Sequence, residues 1–107
     1  MQIVFHAHHA TEVSDHMRRR AEQAVRKVAR RARRAVDAAI RFQQDGTVKR
    51  VELTLHVAGG RRYVARSEDR FFGSALAAAA RRLAMQVDHT KRTPKARERD
   101  RARAGVA

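Results

Sequence analysis

An α+β fold in the order β-α-β-β-β-α, a four-stranded sheet with two helices packed on one face, is what this 107-residue sequence predicts. Three observations carry it. Apolar residues recur at helical spacing between Thr11 and Arg34, and the period switches to two near Ala35. Two glycine turns, Asp45-Gly46 and Gly59-Gly60, bracket the cleanest alternating run, Val51–Val57. A second helical stripe begins near Asp69. Each element then has one apolar face to bury, and a sheet covered on one side by two helices is the economical packing.

Met1–Ala7 reads as the first strand, with Ile3 and Phe5 on one face and Val4 and His6 on the other. Thr11 is the expected N-cap of the long helix, with Glu12 and Asp15 in its first turn and arginines in its last to suit the helix dipole. Val13, Met17, Ala21, Ala24, Val25, Val28 and Ala32 fall within an arc of roughly 120° at about 100° per residue. The second strand places Val36, Ala38, Ile40 and Phe42 inward. The third places Val51, Leu53, Leu55 and Val57 inward, and the fourth, Arg61 to Ser67, sets Tyr63 and Ala65 opposite Val64 and Arg66. The last helix buries Phe72, Leu76, Ala79, Ala80, Leu83 and Val87, with Arg81, Arg82, Met85 and Asp88 turned away. A crossover of βαβ type puts the first strand beside the second. Periodicity stops at His89 and Pro94 is expected to end the helix, so residues 1–90 form the domain and 91–107 a flexible basic tail.

The chain carries 25 Lys and Arg against 11 Asp and Glu, a formal charge of +14. Such an excess marks a partner that is a polyanion or an anionic membrane surface. No cysteine occurs, which removes disulfides, thiolate metal sites and a cysteine nucleophile, and fits a reducing, cytoplasmic setting. No secretory signal and no membrane-length apolar run are read. An enzyme is not expected: Glu52, Glu68 and Asp69 are scattered, no serine has a His–Asp environment, and no glycine-rich phosphate loop precedes a helix. No cofactor and no small-molecule substrate are implied.

The cations are sorted. Arg19, Arg26, Lys27, Arg30, Arg33 and Arg34 lie opposite the apolar arc of the first helix, and from Val25 to Arg34 there are six basic residues and no acid. A salt-bridged, solvated face needs nearby acids, and this helix has only Glu12, Asp15 and Glu22, all in its first half. Like charges at i,i+4, such as Arg26 with Arg30 and Arg30 with Arg34, oppose the helix unless a ligand neutralises them. Arginines on successive turns sit about 5–6 Å apart and bind phosphate bidentately. A second cluster, Arg81, Arg82, His89, Lys91, Arg92 and Lys95, spans the end of the last helix and the tail. Arg61 and Arg62 either extend that surface or protect a hairpin edge. His6, His8 and His9 lack acidic or thiolate companions and are not read as a metal site. With four Phe and one Tyr, most of them in the core, base-stacking platforms are poor, which leaves recognition of folded RNA or duplex by backbone and shape.

Four passages resemble the short ribosome hibernation promoting factors, which include ribosome-associated inhibitor A and are also called sigma-54 modulation proteins. They are Met1-Gln2-Ile3-Val4-Phe5; the Thr11-capped basic helix; Asp45-Gly46 with Val51-Glu52-Leu53-Thr54-Leu55-His56-Val57-Ala58-Gly59-Gly60; and Ala75-Leu76 with Arg82-Leu83-Ala84-Met85-Gln86-Val87 and Lys91-Arg92. The likeness spans about residues 1–95, and the hairpin block is its most specific part. It implies a fold similar to double-stranded-RNA-binding domains. It also implies binding to 16S-type rRNA of the small ribosomal subunit where messenger and transfer RNA sit, silencing idle ribosomes under stress. The implied contacts are Arg26, Lys27, Arg30, Arg33 and Arg34 on the first helix and Arg82, Lys91 and Arg92 at the end of the second. The chain departs from the family in its Arg- and Ala-rich first helix, Ser14 in place of leucine, small residues at Ala77–Ala80, and Gly73 where an aromatic is commoner, so looser packing of the second helix is expected. Long members add a C-terminal dimerisation domain; none is expected here, and a monomer off the ribosome is expected. The alternatives are a general double-stranded RNA or DNA binder, and an adaptor for an acidic protein.

Overall fold

In a computed structural model, which describes residues 1–8 and 11–106 and the side chains among them as far as Thr90, the elements follow the expected order. They are β1 (Gln2–Ala7), α1 (Asp15–Ala29), β2 (Ala35–Asp45), β3 (Val48–Val57), β4 (Arg62–Asp69) and α2 (Phe72–Val106). The sheet order is β1-β2-β3-β4. β1 pairs parallel to β2 through the α1 crossover, and the other two pairings are antiparallel. Gly59 and Gly60, at φ 92° and 79°, let the β3–β4 hairpin close with the Val57 N–H donating to the Arg61 carbonyl at 3.0 Å.

Alternation sends Ala38, Ile40 and Phe42 of β2, Val51, Leu53, Leu55 and Val57 of β3, and Ala65 of β4 into one core. Ala21, Val25 and Val28 of α1 meet them there, as do Phe72, Ala75, Leu76, Ala79, Leu83 and Val87 of α2. The Phe42 and Phe72 rings pack edge to face with centroids 5.4 Å apart, and the Lys49 ammonium lies 5.1 Å from the Phe72 ring centre. Among the described residues, no helix packs on the opposite face of the sheet.

Four local expectations are corrected. Ser14, not Thr11, caps α1: its extended backbone (φ −65°, ψ 155°) lets Oγ accept the Met17 N–H at 3.1 Å. Thr11 instead donates its N–H to the His8 carbonyl at 2.9 Å, and its buried hydroxyl meets no hydrogen-bond partner among the described residues. Helix α1 also ends at Ala29, with Arg30 as C-cap, rather than at Arg34. The Arg31 and Ala32 N–H groups fold back onto the carbonyls of Val28 and Ala29, and Arg34 turns the chain into β2 at φ 52°. Val36 is 53% exposed because Ala35 pairs with Val57 and Asp37 with His56, leaving Val36 as the extra residue of a β-bulge. Finally, α2 runs past His89 and Pro94 to Val106; the Ala, Arg and Glu that dominate residues 95–104 favour helix whatever their apolar pattern. The expectation of a flexible tail concerns residues whose side chains lie outside the described set.

Gly73 does not leave a void beside α2. The Arg20 Nη1 atom lies 3.1 Å and the Met17 Cε atom 3.9 Å from where a Cβ on Gly73 would stand, so α1 side chains fill the space.

Replacing Ser14 by Ala is expected to lower stability by about 1 kcal/mol through loss of the cap. Thr11→Val, which removes an unpartnered buried hydroxyl at constant shape, is expected to be neutral or stabilising. Urea unfolding midpoints of the two variants distinguish the two residues.

Candidate nucleic-acid interface

The two helices lie side by side and run in the same direction. At one end Met17 and Arg20 of α1 flank Gly73 of α2; at the other, Arg31 donates a hydrogen bond to the Asp88 carboxylate. Each helix turns its apolar stripe to the sheet, so the remaining arcs make one continuous outer layer. The exposed residues of that layer include Lys27, Arg30, Arg33, Arg34, Arg81, Arg82 and His89.

Not all of these cations are equivalent. Arg26 is half-buried and donates Nε and Nη2 to the Glu22 carboxylate at 3.0 and 2.9 Å. The Arg82 Nη1 group donates to the Arg66 carbonyl at 2.6 Å, and Gln86 donates to the Val64 carbonyl at 2.7 Å. These two α2 side chains thereby close part of the outer edge of β4, a role that a charge count does not reveal. A carbonyl partner leaves the Arg82 charge unneutralised. Lys27, Arg30, Arg33, Arg34 and Arg81 have no carboxylate within ion-pair distance among the described residues. Because α1 stops at Ala29, Arg33 and Arg34 stand on the α1–β2 loop instead of the helix, and Arg30 with Arg34 is not a helical i,i+4 pair.

Lys91, Arg92 and Lys95 have side chains outside the described set, as does His9. Among the described residues no three His, Asp or Glu side chains gather into a metal-binding group, and no helix is long and apolar enough to cross a membrane.

The open face of the sheet differs in kind. Asp37 and His56 are hydrogen-bonded at 2.6 Å, with Arg62 next in register. Glu52 stands between Arg41 and Arg66, and Arg50 bonds Glu68 at 2.7 Å. Glu52 and Glu68 on these rows each have an arginine beside them. Arg62 therefore lies across the sheet from the helical layer and does not extend its surface.

Sequence reasoning missed two members of the outer layer. Arg31 sits at the edge of the α1 apolar arc, but its partner Asp88 is 57 residues away and invisible to local spacing. Phe71 is 66% exposed because it precedes the first turn of α2 while its neighbour Phe72 takes the core position, whereas Met85, at 65%, faces outward as its helical position predicts.

Sheet order, helical layer and charge placement define a small α+β domain with one cationic and one charge-balanced side. The chain belongs to the family described as Sigma 54 modulation protein / S30EA ribosomal protein, which matches residues 3–95. It is thus a member of a ribosome-associated family. Two solved structures share the fold. A ribosomal subunit interface protein from Coxiella burnetii is similar with a TM-score of 0.73 at 16% identity, over 85% of this chain and 98% of that one. The N-terminal domain of Thermus thermophilus Protein Y is similar with a TM-score of 0.72 at 23% identity, over 84% and 99% of the two chains. No curated protein matches the sequence.

Arg82→Ala is expected to lower stability by about 1 kcal/mol by removing the donor to the Arg66 carbonyl. Arg81→Ala, an equal change in charge, is expected to stay within about 0.5 kcal/mol of the parent. Thermal or urea unfolding of the pair separates an edge-closing arginine from a free one.

Proposed function

We propose that this chain binds the small ribosomal subunit through rRNA phosphates and occludes the sites of messenger and transfer RNA, acting as a cytoplasmic hibernation factor by steric exclusion rather than catalysis. The observation that carries this reading is the sorting of charge: cations without carboxylate partners on the helical layer, and paired charges on the open face of the sheet. Lys27, Arg30, Arg33, Arg34 and Arg81 are the principal contacts. Arg82 contributes through the donors that its edge contact leaves unused, and His89, Lys91, Arg92 and Lys95 extend the surface. Arg26 joins only by exchanging Glu22 for phosphate. The fold neighbour from Coxiella burnetii, a ribosomal subunit interface protein, supports the same reading.

Guanidinium groups suit the task because their planar fork meets phosphate oxygens in pairs. Each phosphate neutralised releases counterions, so affinity falls with salt by about one logarithmic unit per contact. Recognition by backbone and shape needs no base-reading groups, and the domain offers few.

Cosedimentation with purified small subunits in moderate salt is expected; a protein that stays at the top of the gradient rejects the reading. Replacing Arg30 and Arg34 together by Glu is expected to abolish cosedimentation with the fold intact. Alanine at either position should flatten the slope of log K against log salt by about one unit. Excess bulk duplex is expected not to displace the bound protein, whereas a general duplex binder is released by it.

A further inference from the structure

Asp88 is the one acidic residue between Phe72 and Thr90, and it stands on the layer that this chain would turn toward phosphate. An acid there repels a polyanion, so its place needs another reason. The structure gives one in its hydrogen bond with Arg31, the ion pair that joins α1's end to α2.

The segment it fastens is crowded with like charge: Arg30, Arg31, Arg33 and Arg34 fall within five residues. Backbone bonds hold its two ends. The Arg31 and Ala32 N–H groups bond Val28 and Ala29 at 3.0 and 3.1 Å, and the Arg34 carbonyl accepts the Ala58 N–H at 2.9 Å. Among the described residues, the Arg31–Asp88 pair is the salt bridge that ties a side chain of this loop to the second helix. Mutual repulsion pushes the four guanidinium groups apart, and the Asp88 carboxylate draws one of them across the helix pair.

We infer that Asp88 and Arg31 are positioning residues for polyanion binding: their pair fixes the α1–β2 loop against α2 so that Arg30, Arg33 and Arg34 meet phosphate together with Arg81. The inference rests on the proposed binding to rRNA and deepens it. It yields a result opposite in sign to simple electrostatics. Removing an acid from a cationic surface should tighten binding to a polyanion if charge alone matters. If position matters, the same change weakens it.

The test is Asp88→Asn, measured by equilibrium binding to purified small subunits across a salt series, beside hydrogen exchange of amides 31–34 in the free protein. The expected result is roughly tenfold weaker binding at 0.1 M salt, the equivalent of about one lost phosphate contact, with faster loop exchange. The swapped pair, Arg31→Asp with Asp88→Arg, keeps the net charge of the parent and is expected to restore both affinity and protection. Binding by Asp88→Asn that equals or exceeds the parent overturns the inference, as does weakened binding that the swapped pair leaves uncorrected. If the parent itself fails to bind small subunits, the functional reading falls instead. The exchange measurement then judges the pair alone, and unchanged loop protection overturns it.

Discussion

One apolar sheet face must be covered, and everything else in this domain follows from how it is covered. Ile40, Phe42, Leu53 and Leu55 are fully or almost fully buried, and they can be so only if both helices lie on the same side. Burying them is worth roughly 1.5–3 kcal/mol per large side chain, far more than any surface ion pair contributes. That demand sets the rotation of each helix about its axis. Once the stripes of α1 and α2 face the sheet, their charged arcs have nowhere to go but outward, side by side.

The charge placement is a second layer of order built upon the first. Acids accumulate on the uncovered sheet face, where cross-strand register sets Glu52 between Arg41 and Arg66 and Glu68 beside Arg50. Opposite charges at such positions support the sheet by a few tenths of a kcal/mol to about 1 kcal/mol. Among the described residues, Lys27, Arg30, Arg33, Arg34 and Arg81 of the helical layer lack that compensation, with Glu22 held by Arg26 and Asp88 by Arg31. Like-charge repulsion between its remaining cations opposes folding slightly and is relieved when an anionic partner arrives.

Much of the architecture was legible in the residues. Alternation through Val51–Val57, the two glycine turns and the 3.6-residue stripes carry enough information for element order, strand pairing and the helix-covered face. What escaped were events decided by competition between near neighbours or by distant contacts. Thr11 and Ser14 both have capping hydroxyls, and only the position of Met17 in three dimensions decides between them. Val36 continues a perfect alternation in sequence, yet a single bulge at the strand's start ejects it. The cationic stripe of α1 was visible, but its division into helix and loop was not, because the chain must leave the helix early enough for Ala35 to meet Val57. The tie of Arg31 to Asp88 and the capping of the β4 edge by Arg82 join elements far apart in the chain, beyond the reach of any local pattern.

The neutralised underside has a kinetic meaning. A particle with one bare cationic side and one balanced side carries a large electric moment. In the field of a polyanion it feels a torque as well as a pull. It therefore arrives already facing the right way, shortening the search over orientations that slows ordinary protein docking, and this advantage fades as ions shorten the reach of the field.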